Sequence, residues 1–220
     1  MDLNMKPNEN SGCLITFCGL DGSGKTTQIN LLKNFIEKQG IPVALTKQPT
    51  DAVRRSNVFR TYMDTPNHEK YDYRALSLMC ASDRLQHTNK EIIPQLKNGQ
   101  FILSDRYFYS CVANLHARGY TEDRWIYEIS SHIVKPDIAF FIDAEVETAI
   151  ARVRSRKEER NKYIDIDLQH RLRKEYLKIA ADNDGIIINA DMSVDEMFSI
   201  IRDTIQLRIL NSNRKQIQIE

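Results

Sequence analysis

Residues Gly19 to Thr26 read G-L-D-G-S-G-K-T, the pattern G-x-x-x-x-G-K-[ST], set between the apolar run Leu14 to Cys18 and a helical stripe of Ile29, Leu31, Leu32, Phe35 and Ile36. A polyphosphate is held mainly by backbone N–H groups, which close around it only where glycine permits φ > 0 and a side-chain-free approach. Gly19, Gly22 and Gly24 supply that freedom, and Ser23 and Thr27 complete the cradle. Lys25 stands in the first helical turn, where its ammonium reaches the β- and γ-phosphates beside the positive end of the helix. Thr26 offers a hydroxyl to Mg²⁺. The segment therefore predicts a site for a nucleoside polyphosphate.

The rest of the composition fits such a site. At 220 residues the chain is expected to form a single domain, 1–220, with loose tails at 1–12 and 211–220. The formal net charge of +1 gives no global basic field for a nucleic acid polymer, so phosphate recognition must be local. Cys13, Cys18, Cys80 and Cys111 show no C-x-x-C spacing and read as free thiols of a reducing cytosol. No signal-like segment and no apolar run of about 20 residues predicts a membrane span, and the expected place is the cytoplasm.

Four further apolar runs follow the first: Pro42 to Thr46, Phe101 to Ser104, Ile138 to Ile142 and Ile186 to Asn189. Helical patterns separate them, at Lys25 to Lys38, Tyr73 to Lys97, Phe108 to Leu115, Glu122 to Ser131, Val146 to Arg156, Ile166 to Asp182 and Val194 to Leu210. The alternation predicts an α/β fold of three layers, a five-stranded parallel sheet flanked by helices. In such sheets ligands bind beyond the carboxyl ends of the strands.

That rule selects three places besides the loop. After the second strand come Lys47 to Asp51 and then Arg54, Arg55 and Arg60, with Arg60 the candidate for acceptor binding. After the third come Asp105 and Arg106, a carboxylate fit for the metal shell and an arginine fit to fork onto a phosphate. After the fourth come Arg152, Arg154, Arg156, Lys157 and Arg160, five cations within nine residues. The loop holds no arginine, so a basic lid is expected to supply the cation that stabilises phosphoryl transfer. Asp21 is unusual in an anion-binding loop and must point elsewhere, to a sugar hydroxyl of a second substrate or into a loop hydrogen bond. The Asp83-Arg84 pair reads as acceptor-facing or as an intrahelical or surface ion pair. His87, Tyr107 and Tyr163 read as packing or hydrogen-bonding residues.

G-L-D-G-S-G-K-T-T-Q, A-S-D-R-L-Q-H, D-R-Y-F-Y-S-C-V-A, P-D-I-A-F-F-I-D and A-R-V-R-S-R-K-E-E-R, in that order and spacing from about Leu14 to Ala190, resemble thymidylate kinases. The resemblance implies a P-loop nucleoside monophosphate kinase that moves the γ-phosphoryl of ATP to dTMP, giving dTDP, with Mg²⁺, as a homodimer. It implies ATP and metal on Lys25 and Thr26, the acceptor sugar on Asp21, and the base on Arg84. It also assigns the acceptor phosphate and the metal shell to Arg106 and Asp105. The lid resembles that of the bacterial subgroup, with Arg156 and Arg160 as candidates for the catalytic cation. Cys80 and Asn114 stand where the family has aromatics, and K-Q-P, at Lys47 to Pro49, stands for its R-E-P turn. These departures leave open a different or modified acceptor nucleotide, or a nucleotide-binding regulator without turnover.

Overall fold

The computed structural model describes residues 3–66, 70–161 and 163–210. Its centre is β1 (Cys13–Cys18), buried along its whole length. Around it the strands β2 (Val43–Lys47), β3 (Phe101–Asp105), β4 (Ile138–Asp143) and β5 (Ile186–Asn189) form one parallel sheet in the order β2-β3-β1-β4-β5. β1 and β4 are almost continuously apolar because both faces of the sheet are covered. β2, at an edge, leaves Leu45 about half exposed. The predicted fold class is the one observed, with strand ends shifted by a residue where Pro42, lacking an N–H, stays outside the ladder.

Two sets of helices cover the sheet. α1 (Lys25–Glu37) packs on α10 (Val194–Ile205), while α6 (Phe108–Ala117) packs between α4 (Tyr73–His87) and α9 (Ile166–Asp182). The helix expected over Tyr73 to Lys97 is continuous but widens into a π turn at Thr88–Ile92 before α5 (Ile93–Lys97). Pro94 explains this, since its ring meets the carbonyl of residue 90 and it donates no hydrogen bond. α10 likewise runs on into a π turn at Gln206–Leu210. α7 (Trp125–Ser130) and α8 (Val146–Arg154) are shorter than expected, which frees Arg156 from its helix.

Two short helices escaped the periodic reading, α2 (Asp51–Arg54) and α3 (Asn57–Asp64). Each is too brief for a stripe, although Ser56 caps α3 by accepting from the Phe59 N–H at 3.2 Å. The amino-terminal tail also differs from expectation. Leu3 and Met5 are buried, the Leu3 N–H donates to Asn183 Oδ1 at 2.9 Å, and Lys6 bridges to Val134. Burial of the Leu3 and Met5 side chains docks this segment, whereas the tail at 211–220 lies outside the described residues.

Sheet register positions the site. Phe17 pairs with Asp105 and Asp105 with Lys47, so the segments leaving β1, β3 and β2 emerge side by side. Two backbone bonds tie them: Arg106 N–H to the Phe17 carbonyl at 2.8 Å, and Gln48 N–H to the Asp105 carbonyl at 3.1 Å.

Candidate active site

The loop after β1 turns on glycines at backbone angles that other residues rarely adopt. Gly22 has φ 85°, and a Cβ there would run into the Ala149 carbonyl of α8. Gly24, at φ 100°, starts α1. Lys25 is buried, and its ammonium donates to the carbonyls of Gly19 at 3.1 Å and Leu20 at 2.6 Å and to Ser23 Oγ at 3.4 Å. Burial first, and repulsion from Arg106 second, pull its pKa down to about 8 against the opposing pull of Asp21 and Asp105. Thr26 and Thr27 are exposed on the same cavity.

Beside the loop, Arg106 adopts φ 70°, a left-handed conformation for a non-glycine residue. Its guanidinium donates to Asp21 Oδ1 at 2.6 Å and to the Tyr176 hydroxyl at 2.8 Å, and Tyr176 donates on to Ser110 Oγ at 3.1 Å. Burial penalises the charge, but Tyr176, Asp21 and Asp105 outweigh it and raise the pKa. The Asp21 carboxylate is thus turned onto Arg106. Asp105 pairs with Lys47 at 3.1 Å, and its Oδ1 is buried without a hydrogen-bond partner among the described residues. Burial opposes its ionisation, yet Arg106, Lys25 and Lys47 hold the carboxyl below the ordinary range.

A single cavity of about 360 Å³ joins these groups to α4, α6 and the segment after α8. Lys25, Thr26, Thr27, Asp21, Gly22, Gly24, Asp105, Arg106, Arg60, Arg84 and Arg156 all line it; Gly19 and Ser23 lie behind it. Arg160 does not reach it and borders a separate hollow with Arg154, Ser155 and Asn161. Arg156 is paired with Glu159 at 2.8 Å, and Arg60 with Asp64 at 2.6 Å. Arg54 also borders the cavity, held by the Pro49 carbonyl at 2.8 Å. Asp83 resolves its alternatives by accepting from the Thr50 N–H at 2.8 Å and from the Thr50 hydroxyl. Arg84 is buried, donating to the carbonyls of Cys80 at 2.9 Å and Tyr107 at 3.4 Å, which leaves guanidinium donors for the cavity.

The arrangement is that of a nucleotide kinase, and comparison with known proteins agrees. The family profile described as thymidylate kinase matches residues 17–201. The chain belongs to the thymidylate kinase family. It is 35% identical over 193 residues to the probable thymidylate kinase of Pyrococcus horikoshii, covering 86% of this chain and 94% of that one. It is 38% identical over 167 residues to the probable thymidylate kinase of Thermococcus kodakarensis, covering 74% and 81%. The thymidylate kinase of Sulfurihydrogenibium sp. is 35% identical over 207 residues, covering 90% and 98%.

Departures from the thymidylate kinase pattern acquire a physical setting here. Gln48 does not line the cavity; it is buried, and its amide nitrogen meets His87 Nδ1 at 3.0 Å, while His87 Nε2 meets Thr46 Oγ1 at 2.9 Å. Burial lowers the His87 pKa and so favours the neutral ring, whose Nδ1 can accept from the Gln48 amide. Cys80 and Asn114 do face the cavity, and the aromatic surface missing from them reappears in Phe59, Tyr62 and Tyr73. Tyr176, Tyr73 and Arg118 are site residues that sequence reasoning missed. Arg118 lies beyond the helix expected to end at Leu115 and enters the site only as the C-cap of the longer α6.

Proposed function

We propose that this chain transfers the γ-phosphoryl group of ATP to dTMP, giving dTDP. The observation that carries the reading is the single cavity in which the loop of Lys25, the Asp105-Arg106 pair, the buried Arg84 and the lid residue Arg156 meet. The loop amides and Lys25 hold the donor phosphates, with Thr26 and Thr27 at the rim. Arg106, aimed by Asp21 and Tyr176, binds the acceptor phosphate with Arg60 nearby. Arg84 donates to the base, and Asp21 is within reach of the acceptor sugar. Arg156 exchanges Glu159 for the group in transfer as the segment after α8 closes, and Arg160 is the alternative cation on the same segment. Catalysis is then positioning and electrostatics, with no covalent intermediate.

The residues also fit Mg²⁺. Asp105 Oδ1 is a buried acceptor without a partner among the described residues, and Thr26 offers a hydroxyl. When bound, the ion neutralises charge on the β- and γ-phosphates.

A coupled assay across dTMP, dUMP, UMP, CMP, AMP and GMP tests the reading, with dTMP expected to be preferred. Absence of transfer to all of them, despite ATP binding, removes it and leaves a nucleotide-binding regulator. Cys80 and Asn114 favour a second reading, the same chemistry on another deoxynucleotide, which the panel decides. By family resemblance the enzyme is a homodimer of the cytoplasm; light scattering of the purified protein at one protomer's mass would overturn the dimer.

A further inference from the structure

Two helical faces oppose each other at the acceptor end of the cavity. α4 presents Tyr73, Leu76, Cys80 and Arg84, and α6 with its C-cap presents Ser110, Cys111, Asn114 and Arg118. Arg118 is fixed there by three contacts. Its guanidinium carbon lies over the Tyr73 ring, 4.0 Å from the centroid, and Nη1 donates to the Asn114 carbonyl at 3.1 Å and to Asn114 Oδ1 at 3.0 Å. Tyr73 is buttressed in turn, edge-on to Tyr62 at 5.2 Å and stacked with Tyr120 at 6.4 Å. A planar guanidinium on an aromatic ring is a rigid, polar surface of the kind on which nucleobases stack.

The charge at this end is one-sided. The carboxylates lining the cavity, Asp21, Asp105, Glu159 and Asp165, come from the loop, the β3 end and the lid region, and neither helical face adds one. Asn114 Oδ1 is engaged by Arg118, and the Cys80 carbonyl by Arg84. The charge that faces a base is therefore positive, carried by Arg84 and Arg118 beside the Ser110 hydroxyl and the Cys80 and Cys111 thiols.

We propose that Arg118 is a specificity-determining residue of the acceptor pocket. Clamped on Tyr73 by Asn114, it presents its remaining donors to the base and, with Arg84, selects a 2,4-dioxopyrimidine over a base carrying an exocyclic amino group. At the exocyclic position an amino group would set donor against the guanidinium donors of Arg84 and Arg118, where a carbonyl accepts from them, and it would leave N–H groups of the buried Arg84 unpaired, which discriminates more strongly than a missing contact does. The inference rests on the acceptor reading proposed above and adds the residue that enforces it.

The test compares kcat/KM for dTMP and dCMP in the wild type, Arg118→Met and Arg118→Lys. Met keeps apolar length without charge or donors; Lys keeps charge without the planar fork. The dTMP/dCMP ratio should fall about ten- to a hundredfold in Arg118→Met through acceptor KM, with ATP KM unchanged and Lys recovering only part. A ratio unchanged in Arg118→Met, or both acceptor KM values rising together, overturns the proposal, because Arg118 then only holds α6 to α4. Calorimetric binding of each monophosphate gives the same comparison without turnover. A wild type that binds dTMP but transfers nothing thus sinks the function alone, and one that binds neither sinks this proposal too.

Discussion

Binding of a triphosphate to the loop should take up a proton near pH 8. The Lys25 ammonium is buried against the Gly19 and Leu20 carbonyls, and burial, then Arg106, lower its pKa to about 8 from the ordinary 10.5. A lysine whose folded value lies below its unfolded one costs stability at low pH. Here that cost is about 3 kcal/mol below pH 8, fading as pH rises towards 10.5. Phosphate oxygens placed against the ammonium reverse the balance and favour its charged form. Affinity should then be flat below about pH 7 and weaken roughly tenfold for each pH unit above 8, so that Kd at pH 9 is about ten times that at pH 7. Titration calorimetry with MgATP in two buffers of different ionisation enthalpy reads both quantities, and about half a proton per site should be taken up at pH 8. Lys25→Arg stays charged throughout and should flatten the profile, whatever its affinity. A wild-type Kd constant across this range, without proton uptake, would refute the reasoning.

Three further outcomes are expected. Arg156→Ala should lower kcat by about a thousandfold and leave acceptor KM within about twofold, whereas a wild-type kcat moves the role to Arg154 or Arg160. Tyr176→Phe removes the hydroxyl that aims Arg106 and should raise acceptor KM about tenfold with ATP KM unchanged; steady-state kinetics showing no change would make Tyr176 a packing residue only. Ser193 forms a capping box with Glu196 at the exposed start of α10, so Ser193→Ala should cost about 1 kcal/mol, a fall of about 2–4 °C in Tm, and leave turnover intact. Calorimetric unfolding beside the kinase assay separates the two.

The five strands and the long helices were legible because each is a local run whose period or apolar continuity reports burial on its own. The loop was legible for a similar reason: Gly22 and Gly24 need no distant partner to make the turn possible. What could not be read is where side chains from remote segments meet. Gln48 lies beside the catalytic segments in the chain, yet it turns inward to His87, 39 residues away. Tyr176 reaches Arg106 across 70 residues. Arg156 and Arg160 are indistinguishable in sequence, and the end of α8 at Arg154 sends only the first to the cavity. Leu3 and Met5 were too few to signal docking.

The order of residues by itself determined a parallel sheet, a phosphate cradle and a kinase family, because glycine freedom, apolar periodicity and motif spacing act over a few neighbouring residues. Only the folded chain decided which charges face the reacting groups. Sheet register sets Asp105 between Phe17 and Lys47, and the packing of α6 between α4 and α9 brings Arg84, Arg118 and Tyr176 to one cavity. Those contacts exist only once apolar burial has closed the layers, and so they leave no trace in any short stretch of sequence.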